Sequence, residues 1–195
     1  MRGSEIHPEM KISTPAPSNA VGSELCLACG LCCNGVLFRD VELRSGDNEA
    51  VLRSIGAAVR RLKTKASVPQ PCAALCQDNR CQIYAERPQR CREFECALLK
   101  RFLAGALPVA GALRVVRAAH QRANKVRRLL RELGDVDDQL PLSRRFNQTR
   151  KRLEASKLAD GPAGIFADLT LAVHELNLLL SEAFYPGSDT QESLG

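Results

Sequence analysis

Nine cysteines, all between positions 26 and 96 of a 195-residue chain, constrain this sequence more than any other feature. They form two runs, 26–33 and 72–96, with none in the intervening stretch 34–71 and none after Cys96. The opening residues, MRGSEIHPEMKISTPAPSNAVGSE, place no apolar segment between a charged start and a small-residue cleavage site, so no secretory signal is expected and a cytoplasmic location is. In that reducing compartment clustered thiols point to metal or redox chemistry rather than a disulfide framework, and the odd count agrees.

The first run reads Cys26-Leu-Ala-Cys29-Gly30-Leu-Cys32-Cys33. A C-x2-C pair lets two thiolates converge on one ion from a tight turn whose amides face the sulfurs, and Gly30 suits a left-handed turn position. The second run carries Cys72, Cys76, Cys81, Cys91 and Cys96. Asp78 and Asn79 there predict a turn ahead of a short strand over 81–84, and Cys91 and Cys96 straddle a helix start. Since a tetrahedral zinc site or a cubane cluster takes four thiolates, eight cysteines suffice for two sites and a ninth is left over. Vicinal Cys32 and Cys33 project in different directions in most backbone conformations, so they are expected to serve two different metals, or one of them none. Thiolate donors suit zinc or iron–sulfur and argue against calcium, magnesium and the usual non-haem iron triads. The ferredoxin run C-x2-C-x2-C-x3-C-P is not met, because its fourth cysteine would fall at Val36. A single cysteine is as readily a small buried apolar residue; nine packed so closely are not.

Apolar residues make up 45% of the chain but aromatics only 4%, with no Trp, so the core is aliphatic and no stacking platform for nucleic acid is expected. Residues 1–22, with Pro8, Pro15 and Pro17, read as a flexible tail. The cysteine-cluster domain follows over 23–99, a basic helical region over 100–186 and a short tail over 187–195. Between the cysteine runs, GVLFRDVEL predicts an extended segment. A helix is expected from an Asp47 cap through Val51, Leu52, Ile55, Val59 and Leu62 to about residue 63, before ASVPQP returns the chain in extended form.

Downstream, a short helix is predicted from about residue 90 to 104, ended by Gly105 and Pro108. Ala112, Val116, Ala119, Ala123, Val126, Leu130 and Leu133 step by four and three, with Gly134 as the stop. A basic helix over 143–158 and a last helix striped by Ile165, Leu169, Val173, Leu176 and Leu180 complete the chain. The expected fold is mainly α: a small Cys-rich metal-binding domain with short strands, packed on a C-terminal helical hairpin or three-helix layer.

Residues 100–157 hold 15 Lys and Arg against five Asp and Glu. A solvated face accounts for such a run, and an acidic protein partner or nucleic acid is the binding alternative. No membrane contact is expected, since no stretch reaches about 18 uninterrupted apolar residues. Arg87, Arg90 and Arg92, set among the second cysteines, either offset thiolate charge or pair with Glu86, Glu93 and Glu95. Tyr84 and Phe94 are expected as an apolar lid over the thiols, and His120 and His174 as packing or surface residues. Motifs for nucleotide enzymes, serine hydrolases and zincins are missing.

Taken together, CLACGLCC, the PC with its C-x-I-Y, and R-P-x-x-C-R-x-F-x-C resemble the bacterial YkgJ-like or CxxCxxCC family of zinc- or iron-chelating cysteine-cluster proteins, over residues 26–98. The resemblance implies Cys26, Cys29, Cys32, Cys33, Cys72, Cys81, Cys91 and Cys96 as metal ligands, with Cys76 outside the pattern. It implies zinc or an iron–sulfur cluster, one or two sites per chain, in an accessory or structural metalloprotein without an assigned reaction. A distant likeness to the cysteine domain of flagellin lysine methylases implies, as a second expectation, an S-adenosylmethionine-dependent protein methyltransferase-like enzyme; apart from that likeness, a redox-active iron–sulfur cluster would make the chain an electron carrier or oxidant sensor. In that case Cys76 would be a spare reactive thiol.

Overall fold

Proline fits the first turn of a helix, where its missing N–H costs nothing, and Pro17 opens the first element of the computed structural model, which describes residues 17–155 and 160–185. Helix α1 (Pro17–Cys29) therefore begins inside the segment expected as a tail; residues 1–16 and 186–195 lie outside the described residues. Strand β1 (Asp40–Leu43) occupies only the end of the extended segment, after an irregular stretch that buries Val36 and Leu37.

The helix expected over 47–63 is cut short. Helix α2 (Glu49–Ser54) is capped by the Asn48 side chain, which accepts from Val51 N at 3.2 Å. It stops where Gly56 turns left-handed at φ 81° and the Gly56 and Ala57 amides close on the carbonyls of Arg53 and Leu52. Of the remaining apolar positions at helical spacing, Ile55 caps α2, Val59 lies in the connection and Leu62 belongs instead to a hairpin. Strands β2 (Arg60–Leu62) and β3 (Lys65–Pro69) pair antiparallel across Lys63 and Thr64, and β3 pairs with β1 on its other side, giving the order β1-β3-β2.

The expected strand over 81–84 is a single bridge between Leu75 and Cys81 followed by a 3-10 turn at Tyr84–Glu86. In place of one helix over 90–104 there are two, α3 (Gln89–Glu93) and α4 (Ala97–Leu103), with the chain extended at Phe94 and Cys96 between them. Helix α5 (Val109–Glu132) carries the anticipated seam: Ala112, Val116, Ala119, Ala123, Val126 and Leu130 are all buried. Gly134, at φ 82°, ends it by sending its amide to Arg131 O while Asp135 N reaches Leu130 O. Helix α6 (Leu142–Ala155) and helix α7 (Asp160–Ala183) follow. Small alanines on the seam allow α7 to lie close along α5, and α6 also touches α5, so the C-terminal helices form a three-helix layer.

Within α7 the stretch Ala163–Ala183 is long and apolar enough, by length and composition, to cross a membrane, although Asp168, His174, Glu175 and Glu182 interrupt it. One face of it, Leu169, Val173, Leu176 and Leu180, is buried in the core shared with α5.

Two apolar clusters hold the molecule. The larger joins the helical layer to Leu25, Leu31, Val36, Leu37, Leu98 and Leu99, and so runs without a break across residue 99. The smaller, Leu43, Leu52, Ala57, Val68, Ala74 and Ile83, lies under the sheet and the second cysteine run.

Candidate metal centre

Residues three apart on a helix share a face, and Cys26 and Cys29 stand so on the last turn of α1. The pair is thus presented by a helix end, where the sequence suggested a turn. The turn comes immediately after: Gly30 adopts φ 61°, its amide reaches Cys26 O at 3.1 Å, and its carbonyl accepts from Cys33 N and Asn34 N. A methyl group at Gly30 would come within 2.8 Å of Asn79 Cβ, so the glycine also lets the loop of the second run lie directly on the first. The two runs are stitched by Cys72 N donating to Cys33 O at 2.8 Å.

The first run and the residues just after it are anchored to the helical layer at three points, and the end of the second run at a fourth. His120 Nε2 lies 2.7 Å from Cys29 O, Leu142 N donates to Gly35 O at 2.9 Å, Tyr185 Oη donates to Leu37 O at 3.1 Å, and Ala97 N donates to Phe184 O at 3.0 Å. His120 therefore supports the cysteine loop, a role that a lone histidine on a helix gave no sign of. His174 is exposed, as read.

Cys96 caps α4, its sulfur accepting from Leu99 N at 3.4 Å. Backbone amides also lower the thiol pKa of Cys29 through Leu31 and of Cys72 through Ala74. Cys91 sits in α3, whose first amide, Gln89 N, donates to Asp47 Oδ1 at 2.8 Å. Asp47 thus braces α3, and the α2 cap expected of it falls to Asn48.

All nine cysteines are free thiols, and burial is the main influence on those that shift. It pushes Cys26 and Cys91 up to about 11 and Cys29 and Cys33 up to about 12, and it raises Cys32, Cys72 and Cys96 as well. Backbone amides oppose burial at Cys29, Cys72 and Cys96, and at every shifted thiol but Cys96 the charge of neighbouring thiols adds to it. Cys96 raises Cys26, Cys29 and Cys32, and Cys26 raises Cys29 and Cys32. Separately, Cys72, Cys81 and Cys91 all raise Cys33, Cys81 raises Cys72, and both Cys72 and Cys81 raise Cys91. By charge, then, Cys26, Cys29, Cys32 and Cys96 act on one another and Cys33, Cys72, Cys81 and Cys91 on one another, with crossover at the junction of Cys29, Cys32 and Cys33. Cys26, Cys29, Cys32 and Cys96 pack against the larger apolar cluster, whereas Cys72 and Cys81 pack against the smaller. Cys76 belongs to neither group; its backbone closes the 76–80 turn with Arg80 and Asn79.

Arg87 lies between the groups. Its charge lowers Cys26 in one and Cys91 in the other, its guanidinium stands 3.8 Å over the Tyr84 ring, and its buried Nε has no hydrogen-bond partner among the described residues. Among those residues no ion pair joins Arg87, Arg90 or Arg92 to Glu86, Glu93 or Glu95. Of the expected lid, Phe94 packs edge-on against Phe38 at 4.9 Å, and Tyr84 serves the arginine.

These surroundings fit a soft, thiolate-preferring metal. Buried thiolates are costly without a cation to offset them, and amides directed at sulfur are the usual outer support of metal thiolates. Among the described residues no three Cys, His, Asp or Glu side chains form a ready-made cage.

Fold and donors together define a mainly α, cysteine-cluster metal-binding protein. Residues 25–112, a little under half of the chain, match the CxxCxxCC family model, whose description reads "Putative zinc- or iron-chelating domain". No curated protein and no solved structure matches the chain.

Proposed function

We propose that the chain is a two-centre metalloprotein in which Cys26, Cys29, Cys32 and Cys96 hold one zinc or iron–sulfur centre, and Cys33, Cys72, Cys81 and Cys91 hold the other. The observation that carries this reading is the mutual charge influence that divides eight half-buried thiols into two groups of four, with the vicinal pair split between them. Four thiolates complete a tetrahedral site and leave no position open for substrate. The role is accordingly structural or accessory: the metals clamp loops with little apolar area of their own onto the helical layer, whose basic surface meets a protein partner in the cytoplasm.

The test is metal and acid-labile sulfide content, with a visible spectrum, on protein prepared under nitrogen. About two zinc per chain without sulfide is the expected result for two structural sites. Iron with matching sulfide would replace zinc by clusters in the same two centres. Cys96→Ser and Cys91→Ser should each remove about half of the metal, as four-ligand sites on separate thiols require. If either change alone strips all of it, there is one centre and the two-centre reading is overturned.

A further inference from the structure

The molecule holds a second chemically distinctive place, whose lining includes no thiol although Asn34 and Pro71 beside Cys33 and Cys72 form part of its wall. Where α5, the 135–142 connection and the cysteine loops meet there is a cavity of about 220 Å³, lined by Arg127, Arg131, Arg145, Asp138, Asn34 and Pro71 and floored by Leu140 and Leu142. Three guanidiniums and one carboxylate on so small a wall are unusual, and the pairing among them is unequal. Arg145 is committed: its Nε donates to Asp135 Oδ1 at 3.0 Å and its Nη1 to Asp138 Oδ1. Arg131 Nη2 donates to the other oxygen of Asp138 at 2.8 Å. Arg127 has no acidic partner among the described residues; its Nη1 donates to the neutral amide oxygen of Asn124 at 3.0 Å. Asp135 and Asp138 thus offset two of the three cations and one positive charge is left over at the cavity. Burial, and then the charge of Arg145, hold the Arg127 guanidinium below the usual arginine range, and Asp138 opposes this only in part. A half-buried cation with free donors and cationic neighbours is poised for an anion.

We propose that this cavity binds a small oxyanion of the phosphate class, free or as the head of a small phosphomonoester, held by Arg127 and Arg131. Guanidinium forks match the oxygens of such an anion, whose charge offsets the surplus. Asn34 adds an amide at the wall, and the size of the cavity excludes a nucleotide-sized ligand from full enclosure. Over Leu140 it adjoins a second cavity of about 120 Å³, lined by Arg39, Asp40, Arg60, Gln70 and Arg144 among others, into which the organic part of an ester would extend.

The test is calorimetric titration of the full metal-bearing chain at low ionic strength with inorganic phosphate and, separately, glycerol phosphate, against a chloride control of equal ionic strength. One-to-one saturation is expected with phosphate. Tighter binding of the ester would assign the second cavity to its organic part, and equal binding would confine the site to the phosphate head. Arg127→Gln should weaken binding at least about tenfold, the loss of one charged hydrogen-bonding partner. Arg128→Gln, on the same helix and 3.6 Å from Glu132, should leave it unchanged. Should Arg127→Gln fail to keep the helical circular dichroism of the parent, Arg131→Gln gives the same comparison. No saturation by either ligand, or equal weakening by the Arg128 and Arg127 changes, would mean diffuse screening by a basic surface and overturn the proposal.

Discussion

At the scale of single residues, the closest tolerances lie where the two cysteine runs touch. Gly30 needs both its left-handed backbone and its missing side chain, because the facing Asn79 Cβ is already in the way. Gly30→Ala is expected to cost roughly 1–2 kcal/mol from backbone strain alone, and more from the contact. Adding Asn79→Gly removes the contact but not the strain at position 30, so the double variant should recover only part of the loss; urea midpoints of the parent and three variants measure both parts. The left-handed glycine was legible in the sequence because a C-x2-C-G run asks for one. That Asn79 also stands left-handed, at φ 66°, and faces Gly30 was not, since the two are far apart in the chain. His120 is the same kind of case: its bond to Cys29 O depends on where α5 lies, which no local pattern records.

At the scale of elements, α6 shows how a charged residue can be a core residue. Arg145 is 2% exposed on the inner side of a basic helix, held by Asp135 and Asp138 from the connection before it, with Thr149 Oγ1 3.4 Å from Asp135 Oδ2. Arg145→Leu leaves Asp135 buried and unpaired and should cost about 3–5 kcal/mol, read as a fall in thermal or urea stability. Asp135→Leu in the same chain should restore much of it, because an uncompensated buried charge is the source of the cost. The α5 and α7 stripes could be read from the sequence because their apolar steps persist for about four turns or more. The hairpin of β2 and β3 could not: Val59 and Leu62 keep helical spacing beyond Ile55, and only Gly56 hinted at the break. Similarly, α3 and α4 read as one helix until Cys96, used as a cap, divides them. Eight of the cysteines stand out by spacing, but which thiols are neighbours depends on how the chain returns through β3, and only the vicinal pair gave a local hint.

At the scale of the whole molecule, the thiols that burial raises, Cys26, Cys29, Cys32, Cys33, Cys72, Cys91 and Cys96, tie stability to pH. Their folded pKa values lie above the ordinary 9.0, so the metal-free, reduced protein holds its full share of this stability below about pH 9 and loses it as pH climbs through about 11 to 12. Melting temperature under chelator and reductant should therefore fall from about pH 8 to about pH 10, while metal-loaded protein, its thiols already deprotonated, should change little over that span. Metal uptake should release protons, and tighten as pH rises. The unbroken apolar cluster across residue 99 bears on how such a chain is inherited. The family segment ends at Ala112, the first residue of the α5 seam, and leucines of α1 and α4 share the cluster that buries that seam. Neither part can be exchanged as a separate cassette: a relative with a different C-terminal extension would have to repack Leu25, Leu31, Leu98 and Leu99, and substitutions on the two sides should be found to change together.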